Sequence, residues 1–322
     1  MSRYYDITVG GLNWTSHPGG PGGQRDPGAL DVELDLPALT AADAPAGTGF
    51  CRVWGVGLAM ISQARNFANQ PIVIKGGMGA GLPLCEPGQS GIIANGIINK
   101  FFANWEGVNQ SIDFSITAGG TGEKSPAAKG PNPYVPPVNG VLDWKKGQPL
   151  SGPLQQTLQQ MFPRASIKMN IGSIVAPQDM QGYHGSVGQL ATFVRRMSQQ
   201  IVGNNTEGVS IVPFGDTVNV FDDTYQPQGG QIRYVDLIGQ PTWIEFNTIQ
   251  VKVVMRGDIH LGDTITMPEG SIALGQLTAG DQSNAISFQG SFKVSSIRHV
   301  GHFRQPDGGA WCSIIQAVSV SS

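Results

Sequence analysis

The chain predicts a mainly β fold carrying an α/β insertion, an α+β arrangement, and three observations lead there. Ile249, Val251 and Val253 alternate with Gln250 and Lys252, the period of two that buries one face of a strand and wets the other. Runs of this kind recur from Tyr5 to Val320, divided by turn residues; glycine and proline supply 45 and 22 of the 322 residues. Helical periodicity is confined to one short stretch after Leu58 and two longer ones between Ser151 and Gly203.

Taken in order, Tyr5, Ile7 and Val9 alternate with Asp6 and Thr8 as a first strand, and a loop follows through residues 18–23. Leu30, Val32, Leu34 and Leu36 then alternate with Asp31, Glu33 and Asp35, so the outward face of the second strand is acidic and belongs in solvent or a water-filled space. Phe50 to Trp54 is a third strand, and Leu58, Ile61, Ala64 and Phe67 have the spacing of one short helix lying on a sheet. Strands at 71–75, 92–103 and 111–117 complete a first domain, residues 1–118. Residues 119–139 have neither period and are rich in glycine and proline, as in an extended arm or linker.

Residues 140–230 read as a small α/β domain. Ser151 is the expected N-cap of a helix that buries Leu154, Leu158, Met161 and Phe162, and a strand follows at 165–170. A capping box, Ser186 with Gln189, opens a second helix that buries Val187, Leu190, Val194, Met197 and Ile201 and stops at Gly203. Strands at 209–213 and 217–221 lead to the C-terminal domain, residues 231–322. There 249–253, a turn through Gly257, Asp258, Gly262 and Asp263, and 264–267 read as strand, turn, strand. A second strand pair, 291–300 with 311–320, is expected to close a small barrel or sandwich with its own last strand. No repeat with a period of 20 to 50 residues is visible.

Composition narrows the function. Asp, Glu, Lys and Arg make up 13% of the chain, where about 25% is usual; so few charges fit a surface covered largely by neighbours. The net charge is −3 and the only basic doublets, Lys145-Lys146 and Arg195-Arg196, read as solvated surface charges, which argues against a nucleic-acid face. Cys51, Cys85 and Cys312 are odd in number and widely spaced, so neither a disulfide framework nor a zinc site is expected, and Cys312 reads as a small core residue. The start lacks an apolar signal-peptide core and no run is long enough to span a membrane, so folding in a reducing cytoplasm is the expectation.

Candidate chemistry fails on detail. Gly119 to Ser125 approaches a phosphate loop, but Glu123 precedes Lys124 and Pro126 replaces the helix whose N-terminus would hold the anion. Gly76 to Gly81 approaches a dinucleotide fingerprint, but Leu82 and Pro83 stand where the third glycine and the helix belong. His299 and His302 have a spacing that points their rings to opposite faces of a strand, so with His260 and Asp307 they read as hydrogen-bonded side chains and not metal ligands. Asp236 and Glu245 flank Trp243 and could act as a carboxylate pair only if a cleft isolated one of them. Trp54, Trp105, Trp144, Trp243 and Trp311 read as core anchors, with one or two at subunit interfaces. No catalytic, cofactor-binding or metal-ligating residue is assigned.

Leu237-Ile238-Gly239-Gln240-Pro241-Thr242-Trp243, the Gly262-Asp263 turn before Thr264 and Ile265, and Arg298 to Arg304 followed by Trp311 resemble the C-terminal half of baseplate hub proteins of contractile-tailed bacteriophages. The resemblance extends over most of the chain, including residues 76–84 and 134–144, and the same family is related to type VI secretion spike bases. It implies tube-like β-barrel domains in two copies per chain, so that a homotrimer presents six barrels and adapts a six-fold tail tube to a three-fold central spike during virion assembly and DNA delivery. It also implies partners: further copies of the chain, the tail tube protein, the central spike protein, other baseplate proteins and the tape measure, with DNA only in passage. The expected location is the virion baseplate after assembly in the host cytoplasm, and Asp31, Glu33 and Asp35 are candidates for lining the channel. The alternative reading is a tail-associated cell-wall hydrolase module built on Asp236 and Glu245; a carbohydrate- or receptor-binding module would need exposed aromatics in a groove.

Overall fold

The computed structural model describes residues 2–44, 49–80, 86–118, 139–203, 206–268, 288 and 290–320. The arm 119–138 and the glycine run from 119, as well as Gly81 to Cys85, lie outside them. The first region holds β1 (Arg3–Val9), β2 (Leu12–Thr15), β3 (Val32–Ala38), β4 (Gly49–Trp54), α1 (Leu58–Ser62), β5 (Pro71–Met78), β6 (Gly91–Glu106) and β7 (Asn109–Ala118). The middle region holds β8 (Gly140–Trp144), α2 (Ser151–Met161), β9 (Ser166–Asn170), β10 (Met180–His184), α3 (Val187–Val202), β11 (Ser210–Phe214) and β12 (Thr217–Phe221). The last holds β13 (Gln228–Gln231), β14 (Thr242–Glu245), β15 (Thr248–Val254), β16 (Thr264–Met267), β17 (Gly290–His302) and β18 (Trp311–Ser319). The molecule is mostly β, and its main sheet curls into a half-barrel.

That sheet joins the two ends of the chain. Its order is β14-β15-β18-β17-β3-β4-β7-β6-β5-β1-β2, with β16 also on β17 and β13 on β16. The C-terminal strands therefore do not close on their own last strand. β18 lies between β15 and β17, and β17 continues the sheet into β3, with Ile297 opposite Ala38 and His302 opposite Glu33. Likewise β15 and β16 are not partners: β15 pairs with β14 and β18, and β16 with β17 and β13. The reason is geometric. The turn at Gly257 runs over the first region, where Gly257 packs so closely on Gly91 that a Cβ on either would lie within 2.3 Å of the other's backbone, and this carries the chain out of hairpin register.

Three cores follow. Tyr5, Ile7, Leu34, Ile74 and Phe114 anchor the first, which is completed by Met255, Phe303 and Trp311 from the far end of the sequence. Trp311 is 2% exposed and its indole N–H donates to Gly77 O at 2.8 Å. The middle core is built on Trp144, Leu154, Leu158, Leu190 and Val220. The third is built on Ile249, Val251, Val253, Phe292 and Ile315.

The helices correct the sequence reading in part. The short helix breaks after Ser62 into a 3-10 turn, Ala64–Phe67, and only the latter buries residues. Ser151 is not the N-cap of α2; the cap is Leu150, already helical in conformation and fully buried, so the core and not a hydroxyl fixes that start. The cap of α3 is as expected at Ser186, whose Oγ accepts from Gln189 N, while Gln189 Oε1 accepts from Gly185 N instead of closing the box on Ser186. The strands β2, β8 and β10 carry too few alternating apolar positions to have been foreseen.

Candidate assembly surfaces

The main sheet contains one strand arrangement twice. In the first half β3-β4-β7-β6 lie side by side, β5 covers the start of β6, and β1 lies on β5; in the second, β14-β15-β18-β17 lie side by side, β16 covers the start of β17, and β13 lies on β16. Even the irregularities coincide. β6 slips register against β7 between Ile98 and Lys100, and β17 slips against β18 between Val294 and Ser296, in each case just where the covering strand ends. The halves differ in that β13 runs parallel to β16 whereas β1 runs antiparallel to β5.

The two long hairpins end differently. Beyond its bulge β17 is covered by β3, so Ile297 and His299 are each 2% exposed. Beyond its own bulge β6 has β7 on one edge and, among the described residues, no strand on the other. Asn69 and Gln70 extend the cover only to Ile98. From there the β6–β7 hairpin projects with Phe102 58%, Trp105 63% and Val108 95% exposed. β14 ends the sheet among the described residues; within it Ile244 is 43% exposed, and just after it Phe246 is in full contact with solvent. Open edges bearing aromatic side chains are sites where another chain adds.

The strip along β17, β3 and β4 is polar, and it corrects the expectation of a bare acidic face. Asp35 takes two hydrogen bonds from Arg298, at 2.7 and 2.6 Å; Asp31 takes one from Arg304 N at 3.1 Å and lies 3.3 Å from His302 Nε2; Glu33 takes the Trp54 indole N–H at 2.9 Å. Arg52, 3.7 Å from Glu33, makes a two-point bond to Asp113 on β7, both contacts at 2.6 Å. The hydrogen bonds that Arg52 and Arg298 donate to Asp113 and Asp35 hold their guanidinium groups above their ordinary pKa. Repulsion between the β3 carboxylates is thus relieved by cations on both flanking strands. Four carboxylates still face two guanidinium groups, so the strip stays acidic.

The residues considered for chemistry are placed as structural groups. His299 points into the core, where Nδ1 is 2.9 Å from Ser313 Oγ and burial lowers its pKa to about 3; His302 points the other way, to Asp31. Asp236 is 1% exposed and paired with Arg256 at 3.2 Å and Arg233 at 3.0 Å. Burial alone would raise its pKa, but the bonds from Arg233 outweigh it and the net shift is downward. Glu245 sits at the end of the β14 edge. Arg195 is not merely solvated: it makes a two-point bond to Asp43 and one to Thr40. Lys145 pairs with Asp143 at 3.0 Å on the surface. Trp144 and Trp311 are buried as expected, Trp54 and Trp243 half-buried, and Trp105 stands out at an edge. Two clusters were not foreseen. Arg3, 2% exposed, donates to the carbonyls of His302, Phe303, Gln305 and Asp307 and so ties the first strand to the last turn. Arg256 joins Asp236 and Asp258, and Asp236 also accepts from Gln89 of the first region.

A cavity of about 350 Å³ lies where the three regions meet, lined mainly by apolar side chains such as Leu36, Ile93, Val187 and Phe214, with His260 and His299 at its wall. A smaller one of about 270 Å³ is polar and holds the Arg195–Asp43 pair and Lys293. Among the described residues, no group of three or more metal-ligating side chains forms, and no helix is long and apolar enough to cross a membrane.

No protein-family model matches the chain and no curated protein matches it. Solved structures do match over almost its whole length. One is an E. coli component of the type VI secretion system, described as structurally similar to the T4 bacteriophage tail proteins gp27 and gp5: TM-score 0.53, 10% identity, covering 98% of this chain and 77% of that one. A 43 kDa tail protein of prophage MuSo2 from Shewanella oneidensis gives 0.53 at 9% identity, covering 99% and 97%. A tail protein from Neisseria meningitidis MC58 gives 0.50 at 9% identity, with the same coverage. The fold is therefore the one shared by these phage tail proteins and the type VI secretion component. At these identities the likeness is one of fold.

Proposed function

We propose that the protein is the structural hub of a phage tail baseplate: a homotrimer that adapts the six-fold tail tube to the three-fold central spike, acting by assembly and not by turnover. The observation that carries this reading is the doubled strand arrangement, because three copies of a chain with two like halves present six like units to a tube. The likeness to tail proteins and the uncovered aromatic edges support it. In this reading the partners are the tail tube protein, the central spike protein, other baseplate proteins and the tape measure, and the acidic strip of β3 and its neighbours faces passing DNA, which it repels without binding. Its place is the virion tail, after assembly in the host cytoplasm. Sedimentation of the purified chain, alone and mixed with its spike, tests it: a species of three times the 34.0 kDa chain mass that binds the spike is expected, and a monomer at every concentration, indifferent to spike and tube protein, overturns it.

A further inference from the structure

The repeated sheet specifies how one copy meets the next. This inference rests on the trimeric reading above and names the strands and register of its contact. We infer that the uncovered edge of β6, from Phe101 to Glu106, takes β14 of a second copy as an antiparallel strand, with Asn104 opposite Thr242, in the same way that β17 takes β3 within one chain.

The register comes from pairs already present. In the second half a row runs across the sheet from Ser296 to Gln316, Gln250 and Thr242. In the first half the matching row runs from Lys100 to Ser115, Phe50 and Asp35. Both rows begin at the first residue after the bulge, so Thr242 holds the place of Asp35. Within the chain Asp35 faces Val300. Val300 stands as far beyond Ser296 as Asn104 stands beyond Lys100, so the strand that covers β6 sets Thr242 against Asn104 and Trp243 against Ala103.

Side chains agree with this placement. Leu36, the counterpart of Trp243, is buried at the internal junction, and Trp243 already faces the third core. The counterparts of buried Ile297, His299 and Gly301 are Phe101, Ala103 and Trp105, and of these Ala103 and Trp105 lie open to water although the same sheet face is covered at the internal junction. Covering Trp105 removes exposed aromatic surface of the first region from water, a favourable change that grows with the apolar area buried; Phe102, the counterpart of exposed Arg298, lies on the opposite face. The occupant is a second copy and not an unrelated strand because both complementary edges, β6 and β14, are uncovered on one molecule among the described residues. Such a head-to-tail contact propagates into a ring when the rotation closes.

Cysteine pairs test it directly. Phe303 N–H donates to Val32 O, so Val300 and Asp35 form a non-hydrogen-bonded pair in the ladder, the class with Cα atoms about 4.5 Å apart, within the span a disulfide bridges. The chain carrying both Asn104→Cys and Thr242→Cys, mildly oxidised in its assembled form, is expected to give covalent dimers and then trimers and nothing larger. Mixing the two single variants should give dimers alone. A pair offset by two residues, Glu106→Cys with Thr242→Cys, should cross-link at least tenfold less. If the protein sediments as a trimer yet the matched pair does not cross-link, or the offset pair does so equally well, this contact is wrong while the hub reading stands. A chain that sediments only as a monomer removes the hub reading itself.

Discussion

The β17–β3 junction and the outer edge of β6 are the same structural situation with and without a neighbour. At the first, Gly301 lets Trp311 pack where a Cβ would clash with its ring at 2.7 Å, and Arg3 caps the turn beyond. At the second, the corresponding position carries Trp105, whose indole N–H reaches only as far as Gly107 O in its own turn, at 2.8 Å. One hairpin places its tryptophan inside its own molecule, and the other holds a tryptophan out. The difference is one of cover: β3 lies along β17 at the first, and among the described residues no strand lies along β6 beyond Ile98 at the second.

Several substitutions separate the two edges. Trp311→Ala should act on the internal junction most strongly, lowering stability in chemical denaturation by about 3–5 kcal/mol. Asp236→Ala takes one of two carboxylates from buried Arg256, which keeps Asp258, and leaves Gln89 of the first region without its acceptor; it should lower stability by less, about 1–3 kcal/mol, and a loss under about 0.5 kcal/mol would show that Asp236 does not help hold the first region to the last.

His299 reports on the junction through pH. Its folded pKa, about 3, is below the 6.5 of the unfolded chain, so below pH 6.5 the unfolded state takes up a proton that the folded state refuses. Stability is therefore complete above pH 6.5 and falls as pH drops toward 3, by at most about 1.4 kcal/mol per pH unit. Burial shifts His17 and His184 in the same direction, so His299→Gln should reduce the slope between pH 6.5 and 4.5 without abolishing it; an unchanged slope would place His299 in contact with water.

Weaker effects are expected outside the core. Asp35→Asn removes an exposed two-point bond to Arg298 and should cost no more than about 1 kcal/mol, less at high salt. Trp105→Ala should leave the stability of the isolated chain within about 0.5 kcal/mol while weakening self-association measured by sedimentation. A stability loss comparable to that of Trp311→Ala would erase the distinction between the two edges.

Much of the fold was legible in the chain because the strands that matter alternate cleanly. β3, β4, β7, β15, β17 and β18 fall within a few residues of their expected positions, and Ser186 caps α3 as its spacing requires. Ser151 misled because Leu150, pinned in the core, already holds helical geometry and sets the start of α2. The acidic strip was legible as a face but not as a paired one, since Arg52, Arg298 and His302 reach it only through strand order. The assembly edges were beyond reach for the same reason: Trp105 looks like any other tryptophan until β6 proves to outrun β5.

Period and turn chemistry determined which segments become strands and which side of each is apolar, since both are properties of neighbouring residues. Which strand lies beside which was decided by long-range contacts. Gly91 against Gly257, Trp311 beneath Gly77 and Arg3 around the last turn draw the two ends of the chain into one sheet, and the free energy of burial that selects this pairing exists only once the chain has folded.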